Sequence, residues 1–451
     1  MGDLDSVFKA YDIRGLAPGQ LDADSCRRIG SAFARFAAEV DGASRVLVAR
    51  DMRETGVELS AAFTEGVLDQ GLDVVDLGLA STDVAYFAAG RLDAPAAMFT
   101  ASHNPAQYNG IKVCLSAAKP VGQDTGLDRI KSMAAAGVAP VDSASRGSRS
   151  ELDLLGAYAD HVRSFVDVSV LAPLRIVADT ANGMGGLVVP AVFEGLPFEV
   201  ELMYAELDGS FPNHPADPIN PANQVDLKRR VLERGADVGL AFDGDADRVF
   251  LVDELGEGLS GSTTTAIVAA GILAKEPGAT ILYNCICSKA VPEIVRERGG
   301  NPIRTRVGHS FIKAVMAETG AAFGGEHSAH YYFRENFGAD SGSIAALVVL
   351  EQLSRSGQPL SELRRPFERY AASGEINFEV ADPAAVIEAI AERHAGADQD
   401  RIDGLTVDLD DWWFNVRASN TEPLLRLNLE AANPAAVDAL VADLTAFIKE
   451  R

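Results

Sequence analysis

The chain lacks any long uninterrupted apolar run, so no segment reads as a membrane-crossing helix. Residues 1–15 lack the basic run followed by an apolar block that marks a secretory signal. The expected setting is the cytoplasm, with no membrane partner. Positive charge is scarce: 40 Lys and Arg stand against 65 Asp and Glu, for a net charge of -25. Such a surface repels nucleic-acid phosphates and argues against a nucleic-acid partner. It does not exclude a phosphorylated small molecule, which needs only a local basic pocket. Cysteine is also scarce. Cys26, Cys114, Cys285 and Cys287 form no disulfide framework. Cys285 and Cys287 fall in an apolar run, 280–287, that reads as a strand, and alternation places both on one face. Two thiols without further ligands make a poor zinc site, so core packing is the reading.

What the chain has is length and alternation. Its 451 residues exceed one compact core and suggest three or four domains. Apolar runs at 46–49, 74–77 and 96–99 read as strands, with amphipathic helices at 24–40 and 58–70. The pattern resumes at 175–178, 238–242, 249–252, 280–285 and 322–324. Alternation of this kind implies α/β domains with mixed or parallel sheets. The last part changes to α+β, with strands at 375–380, 405–409, 413–417 and 424–429 and a helix at 434–449. Boundaries are expected near 143–150, 254–261 and 366–374.

Four loops carry chemistry. The first is Thr100-Ala101-Ser102-His103-Asn104-Pro105, which follows a strand. Ser102 is expected to be held outward. Ser102 and His103 do not make a dyad by adjacency, since neighbouring side chains diverge, and no G-x-S-x-G elbow is present. Alone, this reads as a polar turn. The second is Asp243-Gly244-Asp245-Ala246-Asp247-Arg248, between two strands. Three carboxylates at alternate positions repel unless a cation joins them, and hard oxygen ligands suit magnesium or calcium. An EF-hand is rejected: Arg248 stands at the sixth position, where glycine is required, and the flanks are strands. The third is Gly324-Gly325-Glu326-His327-Ser328-Ala329-His330. Glu326 and Ser328 can each bond neighbouring hydroxyls, as sugar recognition demands. His330, or His309 elsewhere, could move protons near neutral pH. The fourth is Arg417-Ala418-Ser419-Asn420-Thr421-Glu422-Pro423, followed by Arg426. Two arginines, two hydroxyls, an amide and turn N–H groups suit phosphate; the plain alternative is a capped hairpin turn.

Together with Phe8-Lys9-Ala10-Tyr11-Asp12-Ile13-Arg14-Gly15, these loops resemble the α-D-phosphohexomutase family, in the family's order and spacing over essentially the whole chain. The resemblance implies three similar mixed-sheet α/β domains and a C-terminal TBP-like α+β domain around a central cleft. The expected domains are 1–146 (phosphoserine), 147–254 (metal), 255–367 (sugar) and 368–451 (phosphate). It implies that Ser102 is the phosphoserine and that Asp243, Asp245 and Asp247 hold Mg²⁺ with the serine phosphate. Arg14, Lys112 and Arg248 match positions beside the reacting phosphate. Tyr11, Glu326 and Ser328 match substrate contacts. Arg417, Ser419, Asn420, Thr421 and Arg426 match the anchor for the other phosphate. His309 and His330 match histidines that touch the ligand.

The implied activity interconverts hexose 1- and 6-phosphates through a hexose 1,6-bisphosphate, which also serves as activator. The sugar loop is most similar to phosphomannomutases, and to members that also turn over glucose phosphates. His327 replaces the usual Met. Phosphoglucomutase and phosphoglucosamine mutase are the alternatives within the family. A metal-dependent sugar phosphatase, marked by phosphate release near the turnover rate, and a non-catalytic sugar-phosphate sensor are the alternatives from other classes. A monomer or weak homodimer is expected.

Overall fold

A computed structural model describes residues 4–418 and 424–451. Two compact units divide the chain: Met1–Ser260 with Ser328–Glu362, and Gly261–His327 with Leu363–Arg451.

The first unit opens with a mixed sheet. Its strands run in the order Ile13–Leu16, Tyr108–Leu115, Ala96–Phe99, Arg45–Arg50, Asp73–Leu79, Arg149–Glu151. The last four are parallel, and Tyr108–Leu115 is antiparallel to both its neighbours. The polar stretch read as a boundary therefore contributes an edge strand. Helix Ala23–Asp41 starts at a capping box, in which Asp22 accepts from the Ser25 N–H. It packs on helix Thr55–Leu68 at very short range, because Gly30 and Gly66 let the backbones meet. A Cβ on Gly66 would fall 2.0 Å from the Arg27 carbonyl oxygen. Phe33, Phe63 and Phe99 fill the core between these helices and the sheet.

A second sheet in this unit has the order Val249–Asp253, Val238–Phe242, Arg175–Asp179, Glu199–Met203. It is parallel except for the hairpin Val238–Phe242/Val249–Asp253. That hairpin's turn is the three-aspartate loop. The segment from Ser328 adds the antiparallel pair Tyr331–Phe333/Ala339–Asp340 and helix Gly342–Ser356, capped by Ser341.

The second unit contains three parallel strands in the order Asn301–Thr305, Thr280–Asn284, Phe323–Gly325, flanked by helices Gly261–Lys275, Ala290–Glu297 and His309–Thr319. Strand Thr280–Asn284 ends before Cys285, so the two thiols lie in the turn that follows it and not on one strand face. All four cysteines are buried. An antiparallel sheet follows, ordered Ala371–Glu379, Leu424–Ala431, Trp412–Ala418, Leu405–Asp408, Asp398–Asp400. Helices Pro383–Arg393 and Pro434–Lys449 cover it, with Leu405, Phe414, Val416, Leu425, Leu427 and Ile448 in the core. The expected architecture is what the chain adopts: α/β parts with mixed sheets, then an α+β part. Among the described residues, no helix is long and apolar enough to cross a membrane.

Candidate active site

In the first unit, functional side chains gather at strand ends, where loops leave a parallel sheet and concave sites form. Ser102 follows strand Ala96–Phe99 and has φ 48°, a left-handed conformation that a serine adopts only under constraint. Arg53 supplies the constraint. Its guanidinium is buried and donates to four backbone carbonyls: Ser102 at 2.8 Å, Asn104 at 2.7 Å, Pro105 at 2.9 Å and Tyr108 at 3.0 Å. Asp51 balances its charge at 3.2 Å.

Ser102 is not held outward. It is 4% exposed, because the aspartate loop lies directly against it. A Cβ on Gly244 would fall 2.5 Å from the Ser102 carbonyl oxygen, so only glycine permits this approach. Ser102 Oγ donates to Asp243 Oδ2 at 2.8 Å. The neighbouring side chains do not diverge either: His103 Nδ1 lies 3.2 Å from Ser102 Oγ. Arg248 Nη2 donates to that nitrogen at 2.6 Å, while its Nε donates to Asp243 Oδ2 at 2.9 Å. The left-handed turn at Ser102 brings the adjacent side chains together. Burial first, then the charges of Arg248 and Arg14, push the His103 pKa well down.

Asp243, Asp245 and Asp247 are all buried, and one oxygen from each lies within 4.8 Å of the others. Lys112 lies on strand Tyr108–Leu115 and places Nζ 2.7 Å from Asp245 Oδ2 and 2.8 Å from Asp247 Oδ2. Thr82 donates its hydroxyl to Asp245 Oδ2 at 2.5 Å. Two carboxylate oxygens, Asp245 Oδ1 and Asp247 Oδ1, are buried with no hydrogen-bond partner. Burial pushes the Asp243 carboxyl up to about 7 and also raises Asp247, where the Asp245 charge adds to it. Burial also opposes charge on Asp245, but Lys112 outweighs it and holds that carboxyl low. Orphaned, crowded carboxylate oxygens fit a hard divalent cation, which satisfies them at once.

His330 Nδ1 lies 2.8 Å from Asp340 Oδ2. Burial disfavours the imidazolium, but the hydrogen bond to Asp340 and the Asp247 charge outweigh it and raise the pKa. Arg14 donates to Asn104 Oδ1 and to Asp12, and its Nε is buried without a partner. Tyr11 and Ser328 are half-buried.

In the second unit, Glu326 is buried at the end of strand Phe323–Gly325. Its Oε1 accepts from the Gly308 N–H at 3.0 Å and from Asn284 Nδ2 at 3.2 Å. His327 Nδ1 lies 3.0 Å from Ser262 Oγ. His309 begins helix His309–Thr319 and is half-buried. Arg417 Nη2 donates to Glu375 at 3.0 Å, Arg426 lies 3.4 Å from the same carboxylate, and the Arg417 Nε is buried without a partner. Ser419, Asn420 and Thr421 lie outside the described residues.

Sequence reasoning missed Arg53, Thr82, Asn284, Asp340 and Glu375, and set His103 aside. Arg53 and Asn284 carried a usable signal, since each stands at or just beyond the end of a parallel strand. Thr82 and Glu375 act through contacts remote in sequence, with Asp245 and Arg417.

Comparison with known proteins agrees with this geometry. The chain matches the phosphoglucomutase/phosphomannomutase family in four parts: alpha/beta/alpha domain I over 5–138, domain II over 156–256, domain III over 260–370 and the C-terminal domain over 375–447. It belongs to that family and is a phosphohexomutase, an isomerase that moves a phosphoryl group. Among its relatives, a phosphohexose mutase of Xanthomonas campestris is 40% identical over 435 residues, 96% of each chain. A phosphomannomutase of Escherichia coli is 39% identical over 437 residues, 94% of this chain and 95% of the relative. A crystal structure of a phosphoglucomutase/phosphomannomutase family protein from Burkholderia thailandensis superposes with a TM-score of 0.90 at 33% identity. It covers 100% of this chain and 98% of that one.

Proposed function

We propose that this phosphohexomutase interconverts mannose 6-phosphate and mannose 1-phosphate, with glucose phosphates as secondary substrates, through a phosphorylated Ser102. The observation that carries this reading is Ser102 Oγ at 2.8 Å from Asp243 Oδ2, beside two buried carboxylate oxygens without partners. Asp243, Asp245, Asp247 and the serine phosphate would hold Mg²⁺. When bound, the cation supplies neutralisation of the charge on the transferring group.

The protein's own groups do the rest. Arg14, Lys112 and Arg248 surround the phosphoryl group with positive charge, where charge neutralisation and positioning dominate the barrier. A free sugar hydroxyl attacks phosphorus: its O–H bond breaks and the proton passes to His330. A new sugar O–P bond forms, the Ser102 Oγ–P bond breaks, and Oγ takes a proton from water to end as the hydroxyl. In the second transfer Ser102 returns that proton to water and takes the other phosphoryl group. His330 then returns its proton to the departing sugar oxygen. The hexose 1,6-bisphosphate between the two steps must turn over, so each phosphate takes its turn in the phosphate anchor. Arg417 and Arg426 supply that anchor, with Ser419, Asn420 and Thr421. Tyr11, Glu326, Ser328 and His309 hold the sugar in either pose. The domain limits proposed are 1–146, 147–254, 255–367 and 368–451.

The preference for mannose rests on the sugar loop and on curated relatives named phosphomannomutase. The test has two arms. Intact mass after incubation with a hexose 1,6-bisphosphate should show one phosphoryl group on the native protein and none on Ser102→Ala. The ratio kcat/KM should rank mannose 1-phosphate above glucose 1-phosphate and glucosamine 1-phosphate. Phosphate retained by Ser102→Ala would remove the carrier role, and a preference for glucosamine would remove the substrate.

A further inference from the structure

We infer that Asp340 is a positioning residue for proton transfer: it fixes the tautomer of His330 and holds the imidazole for the incoming sugar hydroxyl. This rests on the role given to His330 above.

The geometry is specific. Asp340 Oδ2 lies 2.8 Å from His330 Nδ1, and the carboxylate side chain is 4% exposed. Paired with an ionised carboxylate, which can only accept, Nδ1 is the donor. In the neutral ring the other nitrogen, Nε2, is then left with its lone pair, which is the form a base needs. As the proton arrives on Nε2, the facing carboxylate stabilises the imidazolium without being protonated itself.

The fold clamps both partners. Asp340 ends a short strand and pairs with Tyr332, which is two residues along from His330. The Tyr332 ring lies over the imidazole at 6.2 Å between centroids. The next residue, Ser341, caps helix Gly342–Ser356 and donates to buried Asp83 at 2.9 Å. Asp340 cannot drift without disturbing that cap. His103 is built the opposite way: Arg248 donates to its Nδ1, leaving no carboxylate there to stabilise an imidazolium.

Asp340→Asn keeps the size but lets the amide donate to Nδ1 and select the wrong tautomer. By analogy with other carboxylate–histidine pairs, kcat should fall by roughly 10²–10⁴, with KM and the Mg²⁺ requirement held within about threefold. The double variant Asp340→Asn/His330→Gln should be no slower than His330→Gln alone, because Asp340 acts only through the histidine.

Three results would overturn the inference: Asp340→Asn retaining most of its kcat, a raised Mg²⁺ requirement with kcat intact at saturation, or additive losses in the double variant. Should the variant not fold, ¹⁵N spectra of the native enzyme decide, with His330 assigned by its absence in His330→Gln. Recorded at a pH high enough to leave the ring neutral, a protonated Nδ1 and bare Nε2 support the assignment, and the reverse tautomer refutes it. If the native enzyme turns over no hexose phosphate, the proposed function fails instead, and the tautomer measurement still stands on its own.

Discussion

Lys112 offers the sharpest test of how the aspartate loop is held. Its ammonium lies 2.7 Å from Asp245 and 2.8 Å from Asp247, all three groups being nearly or fully buried. Lys112→Met keeps most of the stem and removes the charge. At an effective dielectric constant of about 20, each contact is worth about 6 kcal/mol of direct attraction. Most of that offsets the cost of taking the three charges out of water. Removing one partner of a buried ionic cluster leaves the others uncompensated, which costs about 3–5 kcal/mol. For a unit of this size that lowers the unfolding midpoint by on the order of 10 °C in metal-free buffer. Mg²⁺ then restores the lost positive charge, so the rise in midpoint on adding it should be larger in the variant than in the native protein. Both tryptophans, Trp412 and Trp413, lie in the other unit, so calorimetry is a better readout than intrinsic fluorescence. The reasoning is refuted if the metal-free variant melts within about 2 °C of the native protein. It is refuted equally if Mg²⁺ raises both midpoints alike.

Asp83 should make stability depend on pH. Burial outweighs the hydroxyls of Ser81, Tyr158 and Ser341 and pushes this carboxyl up from 3.8 to about 7. A carboxyl raised on folding favours the folded state most when protonated, so its contribution is full below about pH 4 and is lost as pH rises through about 7. Asp83→Asn should remove that loss, and urea unfolding of both proteins at about pH 5 and pH 8 would show it; equal pH slopes refute the assignment. Thr82→Val deletes the hydroxyl that donates to Asp245 at 2.5 Å. The Mg²⁺ concentration for half-maximal rate should rise about tenfold while the sugar-phosphate KM stays unchanged. Asn284→Ala strips Glu326 of a donor at 3.2 Å. Sugar-phosphate KM should rise about fivefold, the equivalent of about 1 kcal/mol, with the Mg²⁺ requirement unchanged; a shift in the Mg²⁺ requirement instead would contradict the separation of the two roles.

Much of the fold is legible in the chain because periodicity is local. The strand read at 238–242 coincides with Val238–Phe242, and the helix read at 434–449 with Pro434–Lys449. The errors occur where local pattern and chain geometry part. The apolar run 280–287 looked like one strand through both thiols, yet the strand stops at Asn284. There the chain must turn, and Cys287 folds back to donate its thiol to the Asn284 side chain at 3.1 Å. The stretch 143–150, read as a boundary, lies between the matched parts ending at 138 and beginning at 156, and at its end Arg149–Glu151 also pairs with an open sheet edge beside Asp73–Leu79. Edge pairing needs only backbone groups, so side-chain pattern does not announce it.

The candidate site divides the same way. Alternate aspartates between two strands, a serine after a strand and arginines around a turn are all visible as residue types at short spacing. By itself, the sequence determined which groups could carry a phosphoryl group and hold a cation, because these depend on chemistry and order along the chain. The tertiary structure decided what state those groups are in. It buried Ser102 under Gly244 instead of presenting it outward, and folded His103 back onto it. It also placed Lys112 between two aspartates more than a hundred residues away. The surroundings of His103 and His330 differ through partners that no spacing reveals: an arginine donating to one ring and a carboxylate accepting from the other. Protonation and tautomer are set by burial and by charges brought close in space, and those exist only once the chain has folded.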